Sequence, residues 1–425
     1  MSEVHLALGV FAATYALIIW EPLNKTTIAL AGGMAIIALN VLDSEAAFEA
    51  IDLNVIFLLA GMMIIANTMA STGIFQWLAI RSAKAVGGSP MGVLVLLCAI
   101  TAITSALLDN VTTVVLIVPV TLVVAQTLGI AVVPMLIAEV LASNIGGAAT
   151  LIGDPPNILI ASHANIDFLH FLINIGPVSM VSLAIFLATL RWLMRGQLHA
   201  TAEMRERVMQ IDDSKLITDP ALLRVTATIL ALVLLGFLFQ GSLGYEPAAV
   251  ALMGAALLLV VTRHEPHDVL RDVEWSTLFF FIGLFIVVGG LEEVGLLEDI
   301  GQWAAGATHG SPLAASMLIL WMSALLSGFV DNIPYTAAML PVVEEMIEDL
   351  DGSNSPNLLW WSLAIGADMG GNLTIVAASA NVLVANLAAR AGHPISFGQF
   401  FRYGAVTTLG TMLIGSGYIW LRYLL

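Results

Sequence analysis

Charge is scarce in this sequence: Lys, Arg, Asp and Glu make up 11% of its 425 residues, against about 25% in soluble globular proteins. That scarcity excludes a soluble enzyme, a nucleic-acid binder and a disordered scaffold together. Positive charge is the scarcer sign, with 14 Lys and Arg against 31 Asp and Glu and a net charge of −17. No basic patch is left to recruit nucleic acid or anionic lipid. Cysteine is reduced to Cys98, which rules out a disulfide framework or a multi-thiolate metal site within the chain. A Walker A pattern and an HExxH motif are both missing, and no membrane histidine is spaced to pair with a nucleophile. No cofactor, no metal and no intrinsic enzymatic activity are therefore expected.

Apolar runs are what the sequence has instead, with 59% hydrophobic residues. They fall at 3–20, 26–42, 55–70, 90–128, 133–163, 168–194, 224–240, 247–262, 275–291, 312–343, 358–389 and 400–424, most of them long enough to cross a hydrocarbon core of about 30 Å. The first run follows Met-Ser-Glu without a basic n-region or a cleavage site, so it is expected to be a retained spanning helix. The fold class predicted is an all-α polytopic membrane protein.

One polar segment, 196–222, mixes both charge signs and carries helix formers, as a linker helix on the membrane surface would. It cuts the chain near its middle, and the two sides repeat each other. At an offset of 222 residues Asp52 falls on Glu274, Gly61 on Gly283, Gly73 on Gly295, Ser89-Pro90 on Ser311-Pro312, Ser105 on Ser327, Asp109-Asn110 on Asp331-Asn332 and Pro119 on Pro341. At 224, Gly146-Gly147 falls on Gly370-Gly371, Thr150 on Thr374 and Asn157 on Asn381. The division expected is an N-terminal transport repeat over 1–195, a cytoplasmic linker over 196–222 and a C-terminal inverted repeat over 223–425.

Two repeated runs are wrong for plain helices. The 39 residues of 90–128 would measure about 58 Å as one helix at about 1.5 Å per residue, so this run must fold back. Asp109 at its midpoint is its only charged residue. Either two helices cross fully with Asp109-Asn110 outside, or a re-entrant hairpin brings that pair to the midplane. Run 133–163 holds Gly146-Gly147 and Gly153-Asp154-Pro155-Pro156, which a continuous helix does not accommodate. Two half-helices with an unwound centre are predicted, and such backbone survives at membrane depth only where it lines a cavity or is buried in protein. About ten spanning helices plus two hairpins result.

An odd number of crossings per half gives the halves opposite topology. With the linker cytoplasmic, Lys25, Arg81, Lys84, Arg191, Arg195, Arg205, Arg207, Lys215 and the basic residues up to Arg402 fall inside, leaving Arg422 outside. Acidic residues such as Asp43, Glu45, Glu292, Glu344, Asp349 and Asp351 collect outside, and both termini are expected to be extracytoplasmic.

Inverted repeats with broken helices are the construction of secondary transporters, whose site lies at the midplane between the halves. A carboxylate at membrane depth costs about 2.5 to 3.5 kcal/mol on insertion scales, so Asp109 and Asp331 are read as proton or cation sites, one per half. Asn110 and Asn332 suit caps of the returning hairpin arms with an amide left for a ligand. Thr112 and Thr113 stand where the second half has Pro334 and Tyr335, an inequality suited to an asymmetric substrate. The stretch from Ser143 and Asn144 through Gly146, Gly147 and Thr150 ends in Asp154, a good N-cap, followed by Pro155 as a first helical residue. Its partner runs from Asp368 through Gly370, Gly371, Asn372 and Thr374 to Asn381. Backbone amides with these side chains would form a hydrogen-bonding nest for a small oxygen-bearing solute; helix packing through the glycines is the alternative.

At GGAATLIGDPPN (146–157) and LLDNVTTVVLIVP (107–119) the chain resembles the ion transporter superfamily, which includes divalent anion/sodium symporters, sodium/proton antiporters, the pink-eyed dilution (P) protein and the arsenite permeases. The resemblance covers nearly the whole chain, and these motifs look most like the arsenite permease and P protein branch, which holds the bacterial arsenical efflux pump membrane proteins. In the carboxylate symporters each hairpin tip and each unwound segment carries a Ser-Asn-Thr motif for sodium and the substrate carboxylate. Here both tips read Asp-Asn, and two carboxylates repel a dicarboxylate unless they are protonated or neutralised by a cation. The resemblance thus implies export of As(III) and Sb(III) hydroxides in exchange for protons by alternating access. Asn110, Thr113, Asn144, Gly146, Gly147, Thr150, Asn332, Gly370, Gly371, Asn372 and Thr374 would bind the solute, and Asp109, Asp331 and Asp154 would couple the ion. Sodium/proton antiport and sodium-coupled di- or tricarboxylate transport are the alternatives. The implied setting is the bacterial inner membrane, with the solute, protons and the bilayer as partners and a soluble arsenite-stimulated ATPase subunit or a second copy in a homodimer as candidates.

Overall fold

A computed structural model describes residues 3–20, 22–194, 198–348 and 357–424, so Arg195, Asp349 and Asp351 of the charge pattern lie outside the described residues. All regular structure among these is helical, and eight helices are long and apolar enough to cross a membrane.

The repeat governs the architecture element by element. Lys25–Ala38, Leu53–Ser71 and Ile74–Ala85 of the first half correspond to Pro247–Thr262, Trp275–Glu293 and Leu296–Ala307 of the second. The hairpin Pro90–Leu107 and Asn110–Leu128 corresponds to Pro312–Ser327 and Asn332–Glu348. The broken helix Val132–Gly147 and Pro155–His163 corresponds to Leu358–Gly370 and Ser379–Arg390. Local chemistry sets matching boundaries: Ser89 and Ser311 precede helices that open on Pro90 and Pro312, where a missing N–H costs nothing.

Contacts between the halves are reciprocal, as in an inverted repeat. Lys25–Ala38 packs along Trp275–Glu293, and its counterpart Pro247–Thr262 packs along Leu53–Ser71. Lipid is as apolar as a leucine side chain, so such helices associate through close packing of small residues. A Cβ on Gly61 would lie 2.8 Å from the Ala251 carbonyl carbon, and one on Gly283 would lie 2.6 Å from the Ala29 carbonyl oxygen. Those two contacts are each other's images under the 222-residue offset. These four helices, with Glu3–Trp20 and Pro220–Leu243 beside them, form a scaffold.

Hairpins and broken helices form the second body. Pro90–Leu107 packs on Val132–Gly147 and Pro312–Ser327 on Leu358–Gly370, while Ser379–Arg390 rests on Asn110–Leu128 and Pro155–His163 on Asn332–Glu348. Each half thus lends its second half-helix to the other half's hairpin. Both tips end in the protein interior, with Asn110 and Asn332 buried, so of the two readings open for 90–128 the re-entrant one is realised.

Unwound backbone runs over 148–154 and 371–378, the latter with a short 3-10 turn at Ile375–Ala377. An equivalent asparagine braces each. Asn157 Nδ2 donates to the Thr150 carbonyl at 3.1 Å, and Asn381 Nδ2 donates to the carbonyls of Gly371 at 2.7 Å and Thr374 at 2.9 Å. Carbonyls freed by the break are satisfied internally, as membrane depth requires.

The segment after the first half lies along one face of the bundle. Its short helix Ala202–Met209 packs on Asn110–Leu128 and Ile74–Ala85. Asp213 pairs with Lys84 at 2.5 Å and Arg81 at 3.6 Å, and Thr218 N–H donates to the Thr72 carbonyl at 2.9 Å. Gly73, at φ +80°, passes beneath the Leu216 carbonyl with no room for a Cβ, a backbone position only glycine fills without strain.

Candidate functional site

The hairpin tips are built differently from the sequence expectation. Asp109, not Asn110, is the cap: its Oδ1 accepts from Thr112 N–H at 2.7 Å, and in the second tip Asp331 Oδ1 accepts from Ile333 N–H at 3.2 Å. The asparagines stand one position inside the helices, so their amides project sideways. Asn110 Nδ2 donates to Asp154 Oδ2 at 2.9 Å. Asn332 Nδ2 is buried with no hydrogen-bond acceptor within 3.5 Å among the described residues, and its amide acts on the same Asp154 carboxylate from farther away. Asp154 does occupy the N-cap position before Pro155 but makes no side-chain capping bond; its carboxylate is turned to the hairpin tip instead.

The unwound segments fasten these tips. Thr150 Oγ1 donates to the Ala106 carbonyl at 2.5 Å, and Thr374 Oγ1 donates to the Gly328 carbonyl at 2.7 Å; the two bonds are images of each other. Gly146 and Gly370 press on Ala102 and Ala324 of the hairpin arms. Gly147 faces the Gly153 carbonyl and Gly371 the Asp368 carbonyl. Asn144 Nδ2 ties the halves together, donating to Oδ1 of Asn372 at 3.1 Å and of Asn381 at 3.0 Å. Thr113 Oγ1, Asn144 Oδ1, Asn372 Nδ2 and both oxygens of Asp368 are buried without a partner among the described residues, an unusual concentration of orphaned polar atoms.

A cavity of about 120 Å³ opens where tips, broken helices and scaffold meet. Asp109, Asn110, Asp154 and Asn332 reach it from the hairpins and broken helices, and Lys25, Glu274, Thr277 and Phe280 from the scaffold. Ser379, the first residue of the second half-helix, lines it too. Asp331 borders it, with Oδ2 2.8 Å from Lys25 Nζ and 3.1 Å from Ser379 Oγ. Three carboxylates, those of Asp109, Asp154 and Glu274, thus line the cavity together with one ammonium, and that of Asp331 pairs with it from the border. Of the residues singled out in the sequence, Asp109, Asn110, Asp154, Asn332 and Asp331 converge here. Thr150, Thr374, Gly146 and Gly370 serve the packing behind, and Asn144 and Asn372 the seam between the broken helices.

Sequence reasoning missed Lys25, Glu274, Ser379 and Asp368. Lys25 was assigned to the positive face of the membrane, and only the fold turns its side chain inward. Glu274 was noted as the twin of Asp52. Asp52 caps its own helix by accepting from Asn54 and Val55 N–H, whereas Glu274 makes no capping bond and accepts from the Thr277 hydroxyl at 3.1 Å. That difference leaves a carboxylate beside the cavity.

Residues 15–366 match the family described as CitMHS, citrate transporter. The chain belongs to that family. An uncharacterized transporter of Mycobacterium tuberculosis (strain ATCC 25618 / H37Rv) is 45% identical over 422 residues, 98% of each chain. The P protein of Homo sapiens is 31% identical over 502 residues, which cover 98% of this chain and 60% of that one. Among solved structures, the Alcanivorax borkumensis YdaH transporter superposes with a TM-score of 0.62 at 15% identity, covering 96% of this chain and 98% of the other. Neisseria gonorrhoeae MtrF, described with a class of antimetabolite efflux pumps, gives 0.64 at 12% identity over 100% and 96%. At such identities the likeness is one of fold. This CitMHS-family protein is a polytopic membrane transporter.

Proposed function

We propose that this chain is a proton-coupled secondary transporter of the bacterial inner membrane whose cargo is a small solute without net negative charge. As(III) and Sb(III) hydroxides are the first cargo to test. The observation that carries the proposal is the composition of the cavity, lined by three carboxylates and the Asn110 and Asn332 amides with one ammonium, which pairs with a fourth carboxylate, Asp331, at its border. A tricarboxylate brought there would meet like charge on several sides. A neutral trihydroxide can instead donate to carboxylates and accept from the amides of Asn110 and Asn332. Asp109, Asp331 and Asp154 would bind and release the protons that drive movement, with the hairpin and broken-helix body shifting against the scaffold.

The family description favours one second reading, transport of a carboxylate accompanied by a neutralising cation. Reconstituted protein separates them. Under an imposed pH gradient, arsenite accumulation that needs no sodium and is lost in Asp109→Asn and Asp331→Asn supports the first. Citrate flux that requires a cation, with no arsenite flux, replaces it with the second.

A further inference from the structure

Lys25 opens the scaffold helix Lys25–Ala38, and its ammonium crosses to the other body. It pairs with Asp331 Oδ2 at 2.8 Å and donates to Ser379 Oγ, while the Phe280 ring lies 5.1 Å beneath it. Asp331 belongs to the second hairpin tip and Ser379 to the second half-helix, so one side chain joins the scaffold to two parts of the moving body. Tyr15, on the neighbouring scaffold helix, donates to the Pro334 carbonyl at 2.7 Å beside it. The arrangement is one-sided. The repeat places Pro247 where Lys25 would recur, and Asp109, the twin of Asp331, forms no ion pair among the described residues.

We propose that Lys25 is a tethered cation that locks the empty carrier, an inference that rests on proton-coupled transport at this same cavity. Moving the hairpin body away from the scaffold with Asp331 ionised would separate two charges in a confined, partly desolvated space, which is costly. A proton binding Asp331 Oδ2 neutralises that carboxylate and releases the ammonium, which remains charged on the scaffold. Glu274, also on the scaffold and lining the same cavity, then offers it a second carboxylate. Loss of the proton on the opposite side restores the Asp331 carboxylate. A neutral solute bound between Asp331 and Ser379 leaves Asp331 ionised but takes the place of Nζ, its hydroxyls donating to that carboxylate while the ammonium turns to Glu274, so the pair is exchanged before the body moves. Proton and solute thereby exclude each other at Asp331, and the state holding neither is held still. Exchange without slip follows from that exclusion. The other acids facing this pair are Asp109 on the first tip and Asp154 at the start of the first half-helix.

The test uses the full chain in liposomes under an imposed pH gradient with no solute present. Wild type is expected to hold the gradient. Lys25→Gln, whose empty carrier is unlocked, is expected to dissipate it at least about tenfold faster, the factor that about 1.4 kcal/mol of lost pairing represents. Lys25→Arg keeps the charge and should stay near wild type. Adding Asp331→Asn to Lys25→Gln removes the proton site that the lysine locks and should slow the leak, leaving at most what Asp109 and Asp154 carry. Ser379→Ala, which keeps both charges but removes one acceptor, should leak to an intermediate degree and decides the matter if Lys25→Gln does not fold. A gradient held by Lys25→Gln as well as by wild type, or a leak indifferent to Asp331→Asn, overturns the lock. No solute enters the leak measurement, so absence of arsenite flux refutes the cargo assignment alone; proton-driven solute flux in wild type with no leak in Lys25→Gln refutes the lock alone, and absence of both refutes the proton coupling on which it rests.

Discussion

Gly146 is where the fold and the cavity depend on the same atom. A Cβ there would lie 2.5 Å from Ala102 Cα in the hairpin arm, where real Cβ atoms keep more than 3.0 Å. The neighbour is backbone, with the Ala102 carbonyl oxygen closer still, and has no rotamer to move into, so the arm and the broken helix would have to part by roughly 0.8 Å in a close-packed interior. Two terms compete in Gly146→Ala. Helix propensity favours alanine by about 1 kcal/mol, and overpacking costs about 1 to 3 kcal/mol. With backbone as the obstacle the upper part of that range applies, leaving a net loss of about 1 to 2 kcal/mol. Gly9 is the control: it also lies within a helix, Glu3–Trp20, but nothing stands within 4 Å of its would-be Cβ. There the helix term acts alone. Thermal unfolding of the purified protein in one detergent should show a midpoint lowered by a few degrees for Gly146→Ala and unchanged or raised for Gly9→Ala. Gly370→Ala, whose Cβ would lie 2.6 Å from the Ala324 carbonyl oxygen, should follow Gly146→Ala. Equal midpoints for Gly146→Ala and wild type would refute the reasoning, as would an equal fall at Gly9.

Three further outcomes are expected. Thr150→Val and Thr374→Val each remove one hydroxyl bonded to a hairpin carbonyl and should lower stability by similar amounts, about 1 kcal/mol, read as matched shifts in unfolding midpoint. The Lys84 ammonium beside Asp213 holds that carboxyl below the usual range, so its contribution is present above the unfolded value near 3.8 and is lost as pH falls through the lower folded value. Limited proteolysis should therefore cut between Met209 and Pro220 faster below about pH 4 than at pH 7, and Lys84→Ala should show the faster cutting already at pH 7. Cys98 is fully buried, so a maleimide should label native protein at least about 100-fold more slowly than unfolded protein; fast native labelling would place the hairpin arm wrongly.

Most of the fold was legible because its signals are local or repetitive. The run 3–20 and the helix Glu3–Trp20 coincide, as do 247–262 and Pro247–Thr262. Gly146-Gly147 and Pro155-Pro156 mark the break because one pair lacks side chains and the other lacks N–H groups. The duplication carried each assignment from one half to the other. Capping went astray by one residue, since Asp and Asn are almost equally good caps and only the tip geometry decides which side chain turns back. Lys25 was illegible for a deeper reason. Counting Lys and Arg by face assigns a lysine to the end of its helix, but a flexible four-carbon stem lets the ammonium reach Asp331 and Ser379, more than 300 positions away. Asp368 is likewise visible in the sequence only as the start of a motif, because nothing local shows that its carboxylate is fully buried with no donor within 3.5 Å.

Where the halves depart from each other, the departures share one direction. Asp154 faces Ala378 across the repeat, Asp368 faces Asn144, Lys25 faces Pro247, and Glu274 replaces an Asp52 that caps its own helix. Packing contacts behave oppositely: Gly61 with Ala251 and Gly283 with Ala29, Thr150 with Ala106 and Thr374 with Gly328, are kept as images. Conserving the packing in both halves lets the backbone offer two arrangements of similar energy, which alternating access requires. Ionisable groups that stand free of a capping role in only one half at each position would then make those arrangements unequal in charge. A ligand or proton shifts the balance only through a difference in its affinity for the two. Under the proposed alternating access, the asymmetric acids and Lys25 would supply that difference, and the symmetric glycines and threonines the two states on which it acts.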